Sequence, residues 1–425
     1  MDKNIKEKTD AWDHDWLVAL KETGKEVFET TGLPTPAVED WKYSSLRPYD
    51  RMGFEVTYVQ PQVDGSDLPE RLLPQRLVFV NGMFHVDLSD DIEGLKTVNL
   101  AKYLESAPES VQENLVDVGG LSERPLKAFN TAHFRDGVAF VLDAGVTLDQ
   151  PIEVLYYATD KDLQLKPHVF TRNVFVLNAE AGVQIIENHQ GFGAYAAHHV
   201  CDVSLHENAE FKHYRLQIET DQAYHFTHTR VMQHENSSYE TVTLTSGARF
   251  SRHDLECQLI APKTRCIIKG CTMLNGDQHT DTKILVDHME PDGVSDQFYK
   301  GILDDQSRAV FQGKIHVRRP AQGTDGRQLN NALLLSEQAE INAKPELEIY
   351  ADDVQCAHGC TSGALDEEPL FYMRSRGLSE LAAKRLLMKS FLSDVVADIE
   401  NDDIRDIYDR YITDWLDAHS QSEAA

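Results

Sequence analysis

A mainly β chain, with a right-handed parallel β-helix core flanked by N-terminal and C-terminal helical regions, is predicted by three observations. From about residue 137 to 360 the sequence consists of short β-branched and aromatic runs separated by small polar turn clusters. Those clusters recur in similar wording: EAGVQI around Ala181, NAEFKH around Ala209, NSSYET around Ser237, KTRCII around Thr264, QSRAVF around Ser307 and QAEINA around Ala339. Outside this stretch the apolar residues switch to helical spacing. The turn clusters lie 28, 28, 27, 43 and 32 residues apart. A period near 28 suits a solenoid, because each coil can bury its apolar face only against its neighbours. The step of 43 also suits long loops in an ordinary β-sandwich, which is the competing architecture.

In chain order, residues 1 to about 50 read as a helical N-terminal cap, with Trp16, Leu20 and Val27 on one face before Gly32, Pro34 and Pro36 end the pattern. LVFVNGMFHVDLS alternates like a hairpin with Asn81-Gly82 at its turn, and a helix containing Tyr103 and Leu104 follows. The organisation predicted is an N-terminal helical and mixed region over 1–120, a β-helix over 121–363 and a C-terminal helical region over 364–425. In the last region one helix begins near Asp366, a second has Ser379 as N-cap, and a third follows Asp402. Ile404, Ile407, Tyr408, Tyr411 and Trp415 form one apolar stripe on the third, either packed on neighbouring helices or offered to another protein. Because the turn-rich stretch ends first, the helices are expected to be separable from the solenoid near Leu365.

The 425 residues are 41% apolar, enough for a sizeable core. With 41 Lys and Arg against 70 Asp and Glu, the net charge of −29 disfavours nucleic acid and anionic membranes as partners. A charged opening stretch and the lack of any run of 18 apolar residues argue against a signal peptide or membrane span, so a cytoplasmic location is expected. The six cysteines, Cys201, Cys257, Cys266, Cys271, Cys356 and Cys360, are expected as free thiols, with Cys266 and Cys271 as buried strand residues. No CxxC pair and no GxxxxGK[ST] loop occurs, so the chain encodes no zinc ribbon and no ATP site of its own.

The segment that carries chemistry is EIYADDVQCAHGCTSGALDEEPLFYMRSRGL, residues 348 to 378. On a strand, positions i and i+2 share a face, so the Cys356 thiol and the His358 imidazole point the same way, within reach of one iron or zinc. Cys360 joins them only if the strand continues through Gly359. Read from the residues alone, a packed cysteine beside a surface histidine is the blander alternative. Two ligands do not close a metal site; a tetrahedral ion needs others from a second chain, a substrate or solvent. His198, His199, His206, His213, His225, His228 and His234 crowd two or three rungs, and coil stacking would align some of them.

That segment, together with KGILDDQSRAVFQGKIHV (300–317), AQGTDGRQLNNALLLSEQAEINAKPELEIYADDV (321–354) and EDWKYSSL (39–46), closely resembles the SufD family of the SUF iron-sulfur assembly system. The homologous SufB proteins share the β-helix but run longer, with an N-terminal cysteine-rich region; here the first cysteine is Cys201. The resemblance implies a scaffold without turnover of its own, in a complex with SufB and SufC. SufB would be its heterodimer partner, and SufC an ABC-type ATPase bound by roughly residues 365–420. It further implies that His358 ligates iron of a transient cluster at the SufB interface, with Cys356 beside it as a sulfur or iron ligand if its pKa is lowered by nearby charge. Reduced flavin is linked to such complexes, although no flavin motif is visible. A homodimer of the isolated chain, a SufB-like paralogue, a stand-alone zinc or iron storage protein using the histidine-rich rungs and a β-helix carbohydrate-active enzyme are the alternatives left open. The last would need carboxylates lined along a sheet groove.

Overall fold

The recurring polar turns are corners of a coil. Backbone in the left-handed region recurs at Glu180, Asn208, Asn236, Lys263 and Asp292, with φ between 56° and 62°, each one residue before positions 181, 209, 237, 264 and 293. Asparagine enters this region at low cost. Asn236 Nδ2 also donates to Asn208 Oδ1 at 2.7 Å, which ties two successive corners together.

The computed structural model describes residues 14–93, 95, 99–105, 115 and 120–423. Between corners the chain alternates between two sheets. One contains β1 (Glu55–Val56), β4 (Ala139–Leu142), β6 (Pro167–Leu177), β8 (Ala196–Leu205), β10 (Tyr224–Gln233), β12 (Phe250–Leu259), β14 (His279–His288), β16 (Arg308–Val317) and β18 (Glu340–Ile349). The facing sheet contains β2 (Gln75–Val80), β3 (Met83–Phe84), β5 (Ile152–Thr159), β7 (Gly182–Phe192), β9 (Glu210–Gln217), β11 (Ser238–Thr245), β13 (Arg265–Leu274), β15 (Val294–Leu303), β17 (Thr324–Leu334) and β19 (Val354–Gly363). Among the described strands every pairing is parallel except β2 with β3, so the fold is a parallel β-solenoid of about seven turns and not a sandwich.

Ladder register gives the true coil length. Gly182 pairs with Glu210, Glu210 with Ser238, Ser238 with Arg265, Arg265 with Val294 and Val294 with Asp325. The step of 43 between Thr264 and Ser307 therefore skips the corner at Gly293 and lands on the opposite corner, half a coil further along.

Strand alternation divides the side chains. Those turned into the coil build one apolar core that includes Phe79, Phe140, Phe175, Phe211, Tyr239, Cys266, Ile284 and Phe311, with Ile92 and Leu95 packed on it from the N-terminal side. The hairpin is as expected: Asn81 and Gly82 both have positive φ at the β2–β3 turn. Because β2 pairs with β5 and β1 with β6, the sheets already begin within the region upstream of residue 121.

Helices cover both outer faces. α1 (Asp15–Thr31), ended by Gly32 at φ 65°, packs Leu17 and Leu20 with Phe134, Phe170 and Val174; α2 (Arg47–Arg51) and α3 (Leu100–Glu105) are short, and α4 (Pro125–His133) lies beside α1. EDWKYSSL is a clamp onto this side. Trp41 is buried with the Arg252 guanidinium 4.0 Å from its ring centre, Asp40 pairs with Lys283, and Ser44 Oγ donates to Asp281 at 2.5 Å. On the opposite face, α5 (Glu367–Ser375) starts at an Asp366 cap, α6 (Glu380–Val396) at a Ser379 cap, and α7 (Asp402–Glu423) follows.

The apolar stripe of α7 is occupied. Ile404, Ile407 and Tyr408, with Ile412 and Leu416, pack against α6 and against Tyr214, Leu216, Val242, Leu244 and Met273 on the outside of the solenoid. Tyr408 Oη donates to the Val242 carbonyl at 2.7 Å and accepts from the Arg215 amide at 2.9 Å. The helical region thus packs along the outside of the solenoid.

Candidate functional site

The chain leaves its last coil one-sided. Among the described residues β19 pairs only with β17, and β18 only with β16, so both strands present an unpaired backbone edge. Cys356, His358 and Cys360 all lie on β19, which runs unbroken through Gly359 to Gly363. Cys360 therefore does share a face with the other two.

Register shows which face that is. Cys356 stands over Gly326, His358 over Gln328 and Cys360 over Asn330, and those three β17 residues are buried, directed into the coil. Cys356, His358 and Cys360 are thus lumen positions at a coil with no successor above it. Cys356 is half-buried, in contact with the apolar group around Ile315 and Val317, whereas His358 and Cys360 are exposed. A Cβ at Gly326 would meet Ile315 Cγ2 at 3.3 Å and would be in ordinary contact with the Cys356 Sγ at 3.5 Å.

The thiol chemistry differs from the expectation. Burial pushes the Cys356 thiol above its ordinary value and Asp325 adds to this, while a hydrogen bond from the Gly326 backbone works against it. Burial also raises Cys360. No charge lowers either, so in the isolated chain both are protonated at neutral pH. They become thiolates when a cation or a partner's positive charge stabilises them. Cys266 and Cys271, as expected, are fully buried strand residues.

The crowded histidines have several fates. His206 and His234 stack on successive corners at 5.0 Å, while His198 and His228 are buried on the outer face that carries α4. His199 and His225 turn inward, where they meet His189 of β7. Sequence reading missed His189; the parity of Val183, Ile185 and Glu187 on its strand is the signal that directs it into the coil.

Comparison with known proteins gives this fold a family. Residues 158–391 match the family model "SUF system FeS cluster assembly, SufBD core domain", and residues 3–154 match "SufBD protein N-terminal region". An iron-sulfur cluster assembly SufBD family protein of Synechocystis sp. is 30% identical over 400 residues, 90% of this chain and 87% of that one. The iron-sulfur cluster assembly protein SufD of Escherichia coli is 28% identical over 391 residues, 88% and 87% of the two chains. The chloroplastic protein ABCI7 of Arabidopsis thaliana is 36% identical over 281 residues, 64% of this chain and 58% of that one. With the core model covering more than half of its length and the solenoid built as that resemblance implied, the chain belongs to the SufBD family of the SUF system for iron-sulfur cluster assembly.

Proposed function

We propose that this chain is a non-catalytic scaffold subunit that joins a SufB-type solenoid at its open end and holds iron or sulfur of a nascent cluster there. The observation that carries the reading is the incomplete ligand set on an incomplete coil: His358 and Cys356 face into the lumen at an edge with unpaired backbone. A partner strand laid along β18 and β19 would satisfy that backbone and bring the missing ligands to the same place. The imidazole binds iron; the thiol binds iron or sulfur once the partner or the metal has lowered its pKa. The cluster is cargo, passed on rather than kept.

A SufC-type ATPase is proposed to dock on the C-terminal helices. The stripe of α7 is already buried, so the docking surface narrows to the exposed apolar residues Phe371, Tyr372, Leu381 and Leu386 on α5 and α6.

The test is His358→Ala in cells that depend on this chain. His358 is exposed, so its loss should change stability by no more than about 0.5 kcal/mol and leave complex yield intact. Activity of iron-sulfur enzymes should fall on the order of tenfold, as for loss of a group that orients or holds a metal. Cys356→Ala should have an equal or smaller effect. Complexes of normal yield that restore wild-type enzyme activity with His358→Ala would show the histidine to be dispensable.

A further inference from the structure

Inside the coil, remote from the end rung, three imidazoles converge. His189 comes from β7 in one sheet, and His199 on β8 and His225 on β10 come from the other. One ring nitrogen of each lies within 4.8 Å of the others, and among the described residues this is the one group of three or more His, Cys, Asp or Glu side chains that does so. We propose that His189, His199 and His225 form a binding site for one borderline divalent transition-metal ion, of the Zn²⁺ or Fe²⁺ class, within the solenoid.

Two of the rings are oriented from behind. Thr171 Oγ1 lies 2.6 Å from His199 Nδ1, and Glu219 Oε2 lies 2.9 Å from His225 Nδ1, which leaves each Nε2 to serve as ligand. A carboxylate or hydroxyl behind a ligating imidazole is the usual outer shell of a metal site. The third ring is the unexplained one. His189 is 1% exposed and its Nδ1 has no hydrogen-bond partner, although an unmet buried polar atom is costly. Its Nε2 is 3.5 Å from Glu187.

Charge and space are compatible with a cation. Arg215 opposes one, with a guanidinium nitrogen 3.4 Å from His225 Nε2, and Thr227 Oγ1 now occupies that nitrogen at 2.6 Å. Arg215 is itself paired with Glu187, and Glu219 supplies a second carboxylate, so acidic groups outnumber the basic one. Burial pushes His189 down to about 4 and His199 well below its ordinary value, so both rings carry free lone pairs at neutral pH. Nitrogens around a tetrahedral ion with bonds of about 2.1 Å stand about 3.4 Å apart, so side-chain rotations of roughly 1 Å, with release of Thr227, close the set. Imidazoles select zinc, iron, cobalt or copper over magnesium and calcium, which take oxygen ligands.

The experiment is a Co²⁺ and Zn²⁺ titration of the untagged, chelator-treated full chain. Expected are one equivalent of Co²⁺ with ligand-field bands and no thiolate charge transfer, displacement by Zn²⁺, and a melting midpoint that rises with metal concentration. His189→Gln should weaken binding about 100-fold or more, and Thr171→Val, which keeps all three rings, roughly tenfold. Cys356→Ala and His358→Ala should leave it unchanged, which separates this site from the end rung. Absence of Co²⁺ bands at millimolar metal, thiolate charge transfer in the spectrum, or undiminished binding by both His189→Gln and Thr171→Val would overturn the proposal. If His189→Gln does not fold, Thr171→Val and the wild-type spectrum decide.

Discussion

Deletion of residues 366–425 is expected to yield an aggregated chain without a cooperative melting transition, not a trimmed solenoid. The helices α6 and α7 cover Tyr214, Leu216, Val242, Leu244, Cys271, Met273 and Ile302 on the outside of one sheet. Returning these to water at about 1.5–3 kcal/mol for a large apolar side chain costs on the order of 10 kcal/mol, which rivals the whole stability of a typical domain. Tyr408 adds a polar loss, since its hydroxyl caps the buried Arg215 amide and Val242 carbonyl. Gel filtration and circular dichroism of the truncated chain provide the check. A monomer with native β signal and an unchanged melting midpoint would contradict the expectation. Tyr408→Phe is the graded version, with an expected cost of about 1–3 kcal/mol for unmet buried backbone groups. The proposed docking of an ATPase on this region is therefore better probed by Phe371→Ala and Tyr372→Ala than by truncation.

Acid should unfold the protein steeply and early, between about pH 6.5 and pH 4. His168, His228, His279 and His288 are each pushed below their ordinary value of 6.5, with burial as the largest cause; His288 falls to about 4. In the folded chain these rings stay neutral, whereas in the unfolded chain they take up protons as pH drops through 6.5. The unfolded state then binds more protons, so stability falls with falling pH until the folded pKa values are reached. Each ring contributes up to about 1.4 kcal/mol per pH unit between its unfolded value and its lowered folded one, and the slopes add where those windows overlap. Ellipticity followed from pH 8 to pH 4 is the measurement. A midpoint of thermal unfolding that is flat between pH 7 and pH 5 would show that these rings are not held neutral.

Much of the architecture was legible because its cause is local. A corner needs a left-handed residue followed by a small one, and at Asn208-Ala209 and Asn236-Ser237 the sequence spells that out. It failed to show the corner at Asp292-Gly293, since PDG is also an ordinary turn and nothing local says which of two alternating corners a cluster belongs to. The role of the α7 stripe was half legible: its period showed that it is buried, but whether against helices or a sheet is a matter of tertiary packing. At the end rung, i and i+2 parity placed Cys356 and His358 on one side, yet the thiol's raised pKa depends on Ile315, Val317 and Asp325, which come from other strands. His189 was invisible for the same reason. Its partners His199 and His225 lie in the facing sheet, and sheet-to-sheet contacts leave no periodic mark.

The two edges of the one-sided coil are not alike. On β18 the amides of Glu340 and Tyr350 donate inward, to the carbonyls of Ser307 just before β16 and of Val317 at its end, so by alternation the odd-numbered positions face the open edge, where Pro345 has no N–H to offer. Charged Glu340, Lys344, Glu346 and Glu348 further discourage a second strand there. β19 carries no Lys, Arg, Asp or Glu from Val354 to Gly363. It is the adhesive edge of the pair. Such an edge invites chance pairing with other strands, so chain in which it stays uncovered is kept apart only by dilution and by mutual repulsion of a surface carrying a net charge of −29.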